Sequence, residues 1–206
     1  MTGEEGSVGA PVTMDEQPFG WAFDPLDGTT NYAHRFPHFA VSLCLEFRGE
    51  PVMGVVYDPM RDEMFAARKG HGATLNGEPI AVSATTDLQH ALLASGFSYD
   101  VNDRVQQFVL WEDFNNLARG VRRPGAAALD LCYVASGRLD GYWERPVNAW
   151  DMGAGVVIVR EAGGTVTALE HDGFDLYTPE ALASNGHLHP PMREVILAVA
   201  RRVPRS

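Results

Sequence analysis

Cysteine is scarce in this chain. Only Cys44 and Cys132 occur in 206 residues, each inside an apolar run and neither with a partner at metal-ligand spacing. That leaves no disulfide framework and no cysteine metal site, and both thiols read as reduced core residues of a cytoplasmic protein. Positive charge is also in short supply: 16 Lys and Arg against 27 Asp and Glu give a formal net charge of -11. Such a balance argues against a nucleic-acid backbone as partner and suits a cation-dependent site for a small anion, although an acidic surface also serves plain solubility. The first residues hold no basic stretch followed by an apolar run, and no segment approaches the ~20 apolar residues of a membrane span. A secreted or membrane location therefore has no support. Internal repeats and low-complexity tracts are lacking too.

What is present is a core-forming composition, 45% hydrophobic, in a length that allows one large domain or two small ones. Residues 38–80 read as an antiparallel meander: Phe39 to Phe47, Pro51 to Tyr57, Glu63 to Arg68, and a further strand running toward Asn76-Gly77. Alternation is imperfect in the first of these, which predicts burial on both faces. Beyond Asp87 the pattern changes. Helices are expected at 101–117, 126–136, 151–162 and 190–201, and strands at 139–143, 165–169 and 181–184. The expected division is 1–87, an antiparallel-sheet metal-binding subdomain, and 88–206, an α/β subdomain that adds Asp151 and the substrate pocket. His187 and His189 read as a loop or helix entry ahead of Pro190 and Pro191.

The most informative stretch is Trp21-Ala-Phe-Asp-Pro-Leu-Asp-Gly-Thr-Thr-Asn31. Here an apolar strand empties into two carboxylates, a glycine and two hydroxyls. Pro25 stops the strand, Gly28 permits a turn that a Cβ would resist, and Asp24 and Asp27 repel each other unless a cation lies between them. The same residue types are the commonest turn formers, so an ordinary surface turn is the competing reading. Two further acidic sites weigh against it, Glu4-Glu5 and Asp151. Asp151 stands where a helix begins, a place for an N-cap or for a carboxylate sharing a cation with a phosphate; the two roles are compatible.

With Gly3-Glu4-Glu5, the run from Trp21 to Pro37, Trp150-Asp-Met-Gly-Ala-Gly155 and Arg160-Glu-Ala-Gly-Gly164 in place, the chain resembles the inositol monophosphatase family. These are magnesium-dependent, lithium-sensitive phosphomonoesterases with a layered αβαβα sandwich, an α+β / α/β fold. The resemblance implies that Glu4, Asp24, the backbone carbonyl of Leu26 and Thr29 surround a first Mg2+, and that Asp24, Asp27 and Asp151 hold a second, with two or three ions per site. It implies catalytic roles for Glu4, Asp24 and Thr29. It places phosphate on the backbone N–H groups of Gly28 and Thr29, substrate hydroxyls on Glu144, and a substrate-lining loop at Gly125 and Ala127, with Asp151 also among the substrate-binding residues. Arg123 and Pro124 depart from the family's usual pattern there.

The activity so implied is hydrolysis of a small polyol phosphate, foremost inositol 1-phosphate, by a cytoplasmic homodimer that engages neither nucleic acid nor membrane. Histidinol-phosphate, fructose 1,6-bisphosphate and 3′-phosphoadenosine 5′-phosphate are the alternative substrates on the same fold. The resemblance further implies that the family's first helix pair, its first strands and an acidic partner of Thr29 fall outside these 206 residues. On that basis the chain by itself is expected to have little phosphatase activity. The alternative from a different class is an inactive chain that binds partners through an uncovered sheet face.

Overall fold

The computed structural model describes residues 2–3, 18–98 and 104–203. Its first sheet has seven strands in sequence order: β1 (Thr2–Gly3), β2 (Phe19–Asp27), β3 (Ala40–Phe47), β4 (Glu50–Asp58), β5 (Glu63–Arg68), β6 (Ala73–Leu75) and β7 (Glu78–Ile80). β1 runs parallel to β2, and every later pair is antiparallel. The expected meander is present because the turn residues do what their chemistry allows. Asn76 and Gly77 both take positive φ, as a tight two-residue hairpin requires.

The second sheet orders β11 (Thr165–Thr167), β12 (Ala181–Ser184), β10 (Gly141–Glu144), β8 (Leu92–Ser95) and β9 (Gly120–Arg122). Here β8 lies parallel to both β10 and β9, while β12 is antiparallel to β10 and β11. Helical connections join these parallel strands: α2 (Arg104–Leu117) links β8 to its neighbour β9, and α3 (Ala127–Ala135) carries the chain from β9 to β10 on the other side of β8. A five-residue helix α1 (Thr29–Ala33) follows β2, α4 (Ala149–Glu161) follows β10, and α5 (His189–Arg202) closes the fold.

Strand parity shows how the layers stack. Ala94, Tyr142, Ala181 and Ala183 join one core with α3, α4 and the first sheet, whereas Leu93, Trp143 and Leu182 join a second core with α2 and α5. Among the described residues the order of layers is therefore sheet, helices, sheet, helices. α4 is the shared centre, and it is buried from Met152 through Val159, as a helix enclosed by two sheets must be. Its approach to the first sheet is close. A Cβ on Gly54 of β4 would lie 2.3 Å from the Ala154 carbonyl oxygen, so only glycine lets the two backbones touch.

Several boundaries differ from expectation. α4 begins at Ala149 rather than Asp151, because Asn148 is its N-cap. β10 ends at Glu144, β11 is confined to 165–167, and β8 and β9 are short strands that the periodicity did not reveal. The 101–103 portion of the expected second-half helix lies outside the described residues. α5 starts at His189, whose ring sits between the Thr167 and Ser184 hydroxyls (both 3.0 Å), consistent with a helix-entry role.

β3 is not buried on both faces. Ala40, Ser42, Cys44 and Glu46 point inward, while Val41 and Phe47 are exposed and Leu43 and Leu45 only partly covered. The alternation was masked because the inward positions, packed near α4, are small or polar while the outward ones are apolar. Phe19, Trp21, Val41, Phe47 and Met64 form the exposed apolar positions of that outer sheet face among the described residues.

Candidate active site

Asp24 and Asp27 stand three apart, and in a regular strand they would point to opposite faces. The register explains why they do not. Asp24 pairs with Ser42 and Asp27 with Ala40, with a shift between them at Pro25 and Leu26. The irregularity restores Asp27 to the inner face, and both carboxylates are buried, at 2% and 7% exposure. The Leu26 N–H donates to Asp24 Oδ1 (2.9 Å), fixing one carboxylate while the chain turns. Gly28 then adopts φ 89 ahead of α1.

The third carboxylate arrives from the other half of the chain. Asp151, in the first turn of α4, accepts hydrogen bonds at Oδ2 from the backbone N–H of Asn148 (2.8 Å) and from its side-chain amide (3.1 Å). Asp151 therefore serves the helix start from its third position. Ser42, opposite Asp24 in the sheet, donates to the Trp150 carbonyl (3.1 Å) and so fixes the start of α4 to the first sheet. Ligand oxygens of Asp24, Asp27 and Asp151 lie within 4.8 Å of one another.

Three carboxylates this close repel. The Asp27 carboxyl is pushed well above the usual range by burial, then by Asp151 and Asp24, against the lowering effect of the Ala128 N–H that donates to its Oδ2 (2.8 Å). An all-oxygen donor set of clustered carboxylates matches what a hard divalent cation takes, with no need for nitrogen or sulfur. The site therefore fits the ion that the sequence implies.

These residues line a cleft of about 210 Å³, whose lining also includes Gly28, Thr29, Gly125, Ala127 and Glu144. Leu26 is not in that lining, and Glu4 lies outside the described residues. Glu144 accepts a hydrogen bond from the buried Tyr142 hydroxyl (2.6 Å). Burial pushes its carboxyl up to about 7, with Asp151 adding to the effect and Tyr142 and Arg123 opposing it. Among the described residues, Arg123 is the one cationic side chain in the lining, beside five carboxylates.

Sequence reasoning missed Asp130. It is 1% exposed in α3 and lines the same cleft; its Oδ1 is buried with no hydrogen-bond partner among the described residues, and burial, Glu144 and Asp27 hold its carboxyl well above the usual range. The available signal was an acid embedded in the otherwise apolar run Ala127-Ala-Leu-Asp-Leu-Cys132.

A profile of the inositol monophosphatase family matches residues 1–204. An inositol-1-monophosphatase of Synechocystis sp. is 49% identical over 199 residues, covering 95% of this chain and 67% of that protein. A protein named Nus factor SuhB from Vibrio cholerae is 49% identical over 166 residues, covering 80% of this chain and 61% of its own length. Among solved structures, an inositol monophosphatase from Anabaena (Nostoc) sp. superposes with a TM-score of 0.87 at 43% identity, covering 98% of this chain and 77% of that one.

Proposed function

Because the chain belongs to the inositol monophosphatase family, a family of phosphoric monoester hydrolases, we propose that it hydrolyses a small polyol phosphate, foremost inositol 1-phosphate, with Mg2+. The observation that carries this reading is the meeting of Asp24, Asp27 and Asp151 in a cleft that holds Glu144 in its lining. Divalent cations held there would neutralise the phosphoryl oxygens and make water a competent nucleophile at neutral pH.

The remaining steps belong to the chain's own residues. Asp24, Asp27 and Asp151 hold the cations, with Glu4 as a further ligand. Backbone N–H groups at Gly28 and Thr29 would receive phosphate oxygens, and Thr29 would help take the proton from the attacking water. Glu144 bonds substrate hydroxyls as donor or acceptor, because a carboxyl titrating near 7 populates both states at neutral pH. Gly125 and Ala127 line the path of the polyol. The same reading carries lithium sensitivity, a homodimer and a cytoplasmic location.

A second reading, a binding module, draws on the apolar outer face of the first sheet. One experiment separates the two. Phosphate release by the full-length protein with Mg2+ is measured on inositol 1-phosphate, histidinol phosphate, fructose 1,6-bisphosphate and 3′-phosphoadenosine 5′-phosphate. We expect the highest kcat/KM on the first, and a loss of roughly 100-fold in Asp151→Asn. Preference for a bisphosphate overturns the substrate assignment; full activity in Asp151→Asn reduces Asp151 to a helix-start residue; no release from any ester favours the binding module.

A further inference from the structure

The geometry points to Asn31 as a positioning residue that locks the phosphate end of the cleft to the loop that receives the polyol. This rests on the phosphatase reading. Asn31 is the third residue of α1, and its side-chain amide reaches two separate stretches of chain. Nδ2 donates to the His38 carbonyl (2.8 Å), to the Pro124 carbonyl (2.8 Å) and, more weakly, to the Gly125 carbonyl (3.3 Å). An amide nitrogen carries two N–H donors, so the two short bonds use both and the third shares one. Each donor goes to a different half of the chain: His38 leads into β3, and Pro124 leads into α3.

The joint around Asn31 is tight. A Cβ on Gly28 would lie 3.1 Å from the His38 carbonyl oxygen and 3.3 Å from that of Gly125, so three backbone segments meet there. Among the described residues, a further hydrogen bond between side chain and backbone ties 124–128 to β2, from the Ala128 N–H to Asp27 Oδ2 (2.8 Å). That bond involves a carboxylate assigned to the cation. The Asn31 bonds involve no cation ligand, so they hold the two sides in register whether or not the cation is bound. Gly28 and Thr29 lie three and two residues before Asn31, and Gly125 and Ala127 lie one and three residues after Pro124, so the amide sets the spacing between the two binding surfaces.

A residue with this role affects the whole substrate differently from phosphate alone. In Asn31→Ala we expect KM for inositol 1-phosphate to rise roughly tenfold, while the inhibition constant of inorganic phosphate stays within about twofold of the wild type. Phosphate occupies only the Gly28 side; the ester spans both. Asn31→Asp, which presents an oxygen to the same carbonyls, should show the larger effect, and Asn31→Ser, which keeps one donor, the smaller. Equal changes in KM and in the phosphate constant would overturn the assignment, as would no change in either.

Hydrogen exchange on the same variants supplies a readout independent of turnover. Faster exchange at both 29–33 and 124–128 supports the tie, and faster exchange confined to 29–33 refutes it. Should the wild type release no phosphate from any ester, the phosphatase reading fails on that result, and exchange still decides the tie.

Discussion

Glu144 illustrates how burial sets chemistry at a single residue. Its carboxyl is raised from 4.5 to about 7, chiefly by desolvation, even though the Tyr142 hydroxyl and Arg123 both favour the charged form. Raising a carboxyl on folding favours the protonated native state. The resulting cost is absent well below pH 4.5, grows as pH rises toward about 7, and stays in full above it. Unfolding by urea in the presence of a chelator, from pH 5 to 8, should therefore show the wild type losing stability relative to Glu144→Gln as pH rises, a difference to which the lowered His38 and His189, present in both, do not contribute. Equal slopes in the two would assign any fall to the other raised carboxyls, Asp27 and Asp130. The pair of residues also shows what sequence could and could not reveal. Glu144 was legible through Tyr142-Trp143-Glu144, whereas Asp130 looked like any acid in the first turn of a helix. Only its burial between two layers distinguishes it.

At the scale of elements, the first-sheet meander was legible because its turns are marked by residues that accept positive φ, and the helices because their apolar positions recur at helical spacing. The short strands β8 and β9 were not. With three or four residues each, they carry too few alternations to register, and their pairing comes from partners distant in sequence. The start of α4 was misplaced because Asp151 resembles an N-cap, while Asn148 is the actual cap and Asp151 bonds back to it. Pro25 was expected to end the strand, but β2 continues through it to Asp27 with an irregularity between Asp24 and Asp27, and the consequence, two carboxylates on one face, becomes visible only in the register.

The contact of β4 with α4 yields a prediction at this scale. Gly54→Ala places a methyl group 2.3 Å from a backbone oxygen of Ala154, which no rotamer can relieve. The strand or the helix must move, at a cost of about 1–3 kcal/mol. Since α4 carries Asp151, the displacement should also weaken cation-induced stabilisation. Denaturation midpoints with and without Mg2+ measure both effects, and a wild-type midpoint would show that the sheet and helix separate freely.

For the molecule as a whole, the sequence indicated the layered class and the acidic cluster, but not that one helix would be the hinge of both. The candidate cation ligands come from the end of β2, in the first sheet, and from the start of α4, which packs against both sheets. A cation bound there stabilises only the native arrangement, by about 2.7 kcal/mol at a hundred times its dissociation constant. Binding must also displace the proton that the raised Asp27 carboxyl retains more readily than an ordinary aspartate. Protons compete more strongly at low pH, so the rise in melting temperature produced by Mg2+ should be larger at pH 8 than at pH 6. It should vanish in Asp151→Asn. Hydrogen exchange should slow together at 24–28 and 149–153, because the same ion joins the two segments. A thermal shift independent of pH and retained in Asp151→Asn would place the cation elsewhere, and protection at only one segment would mean that the ion does not bridge them.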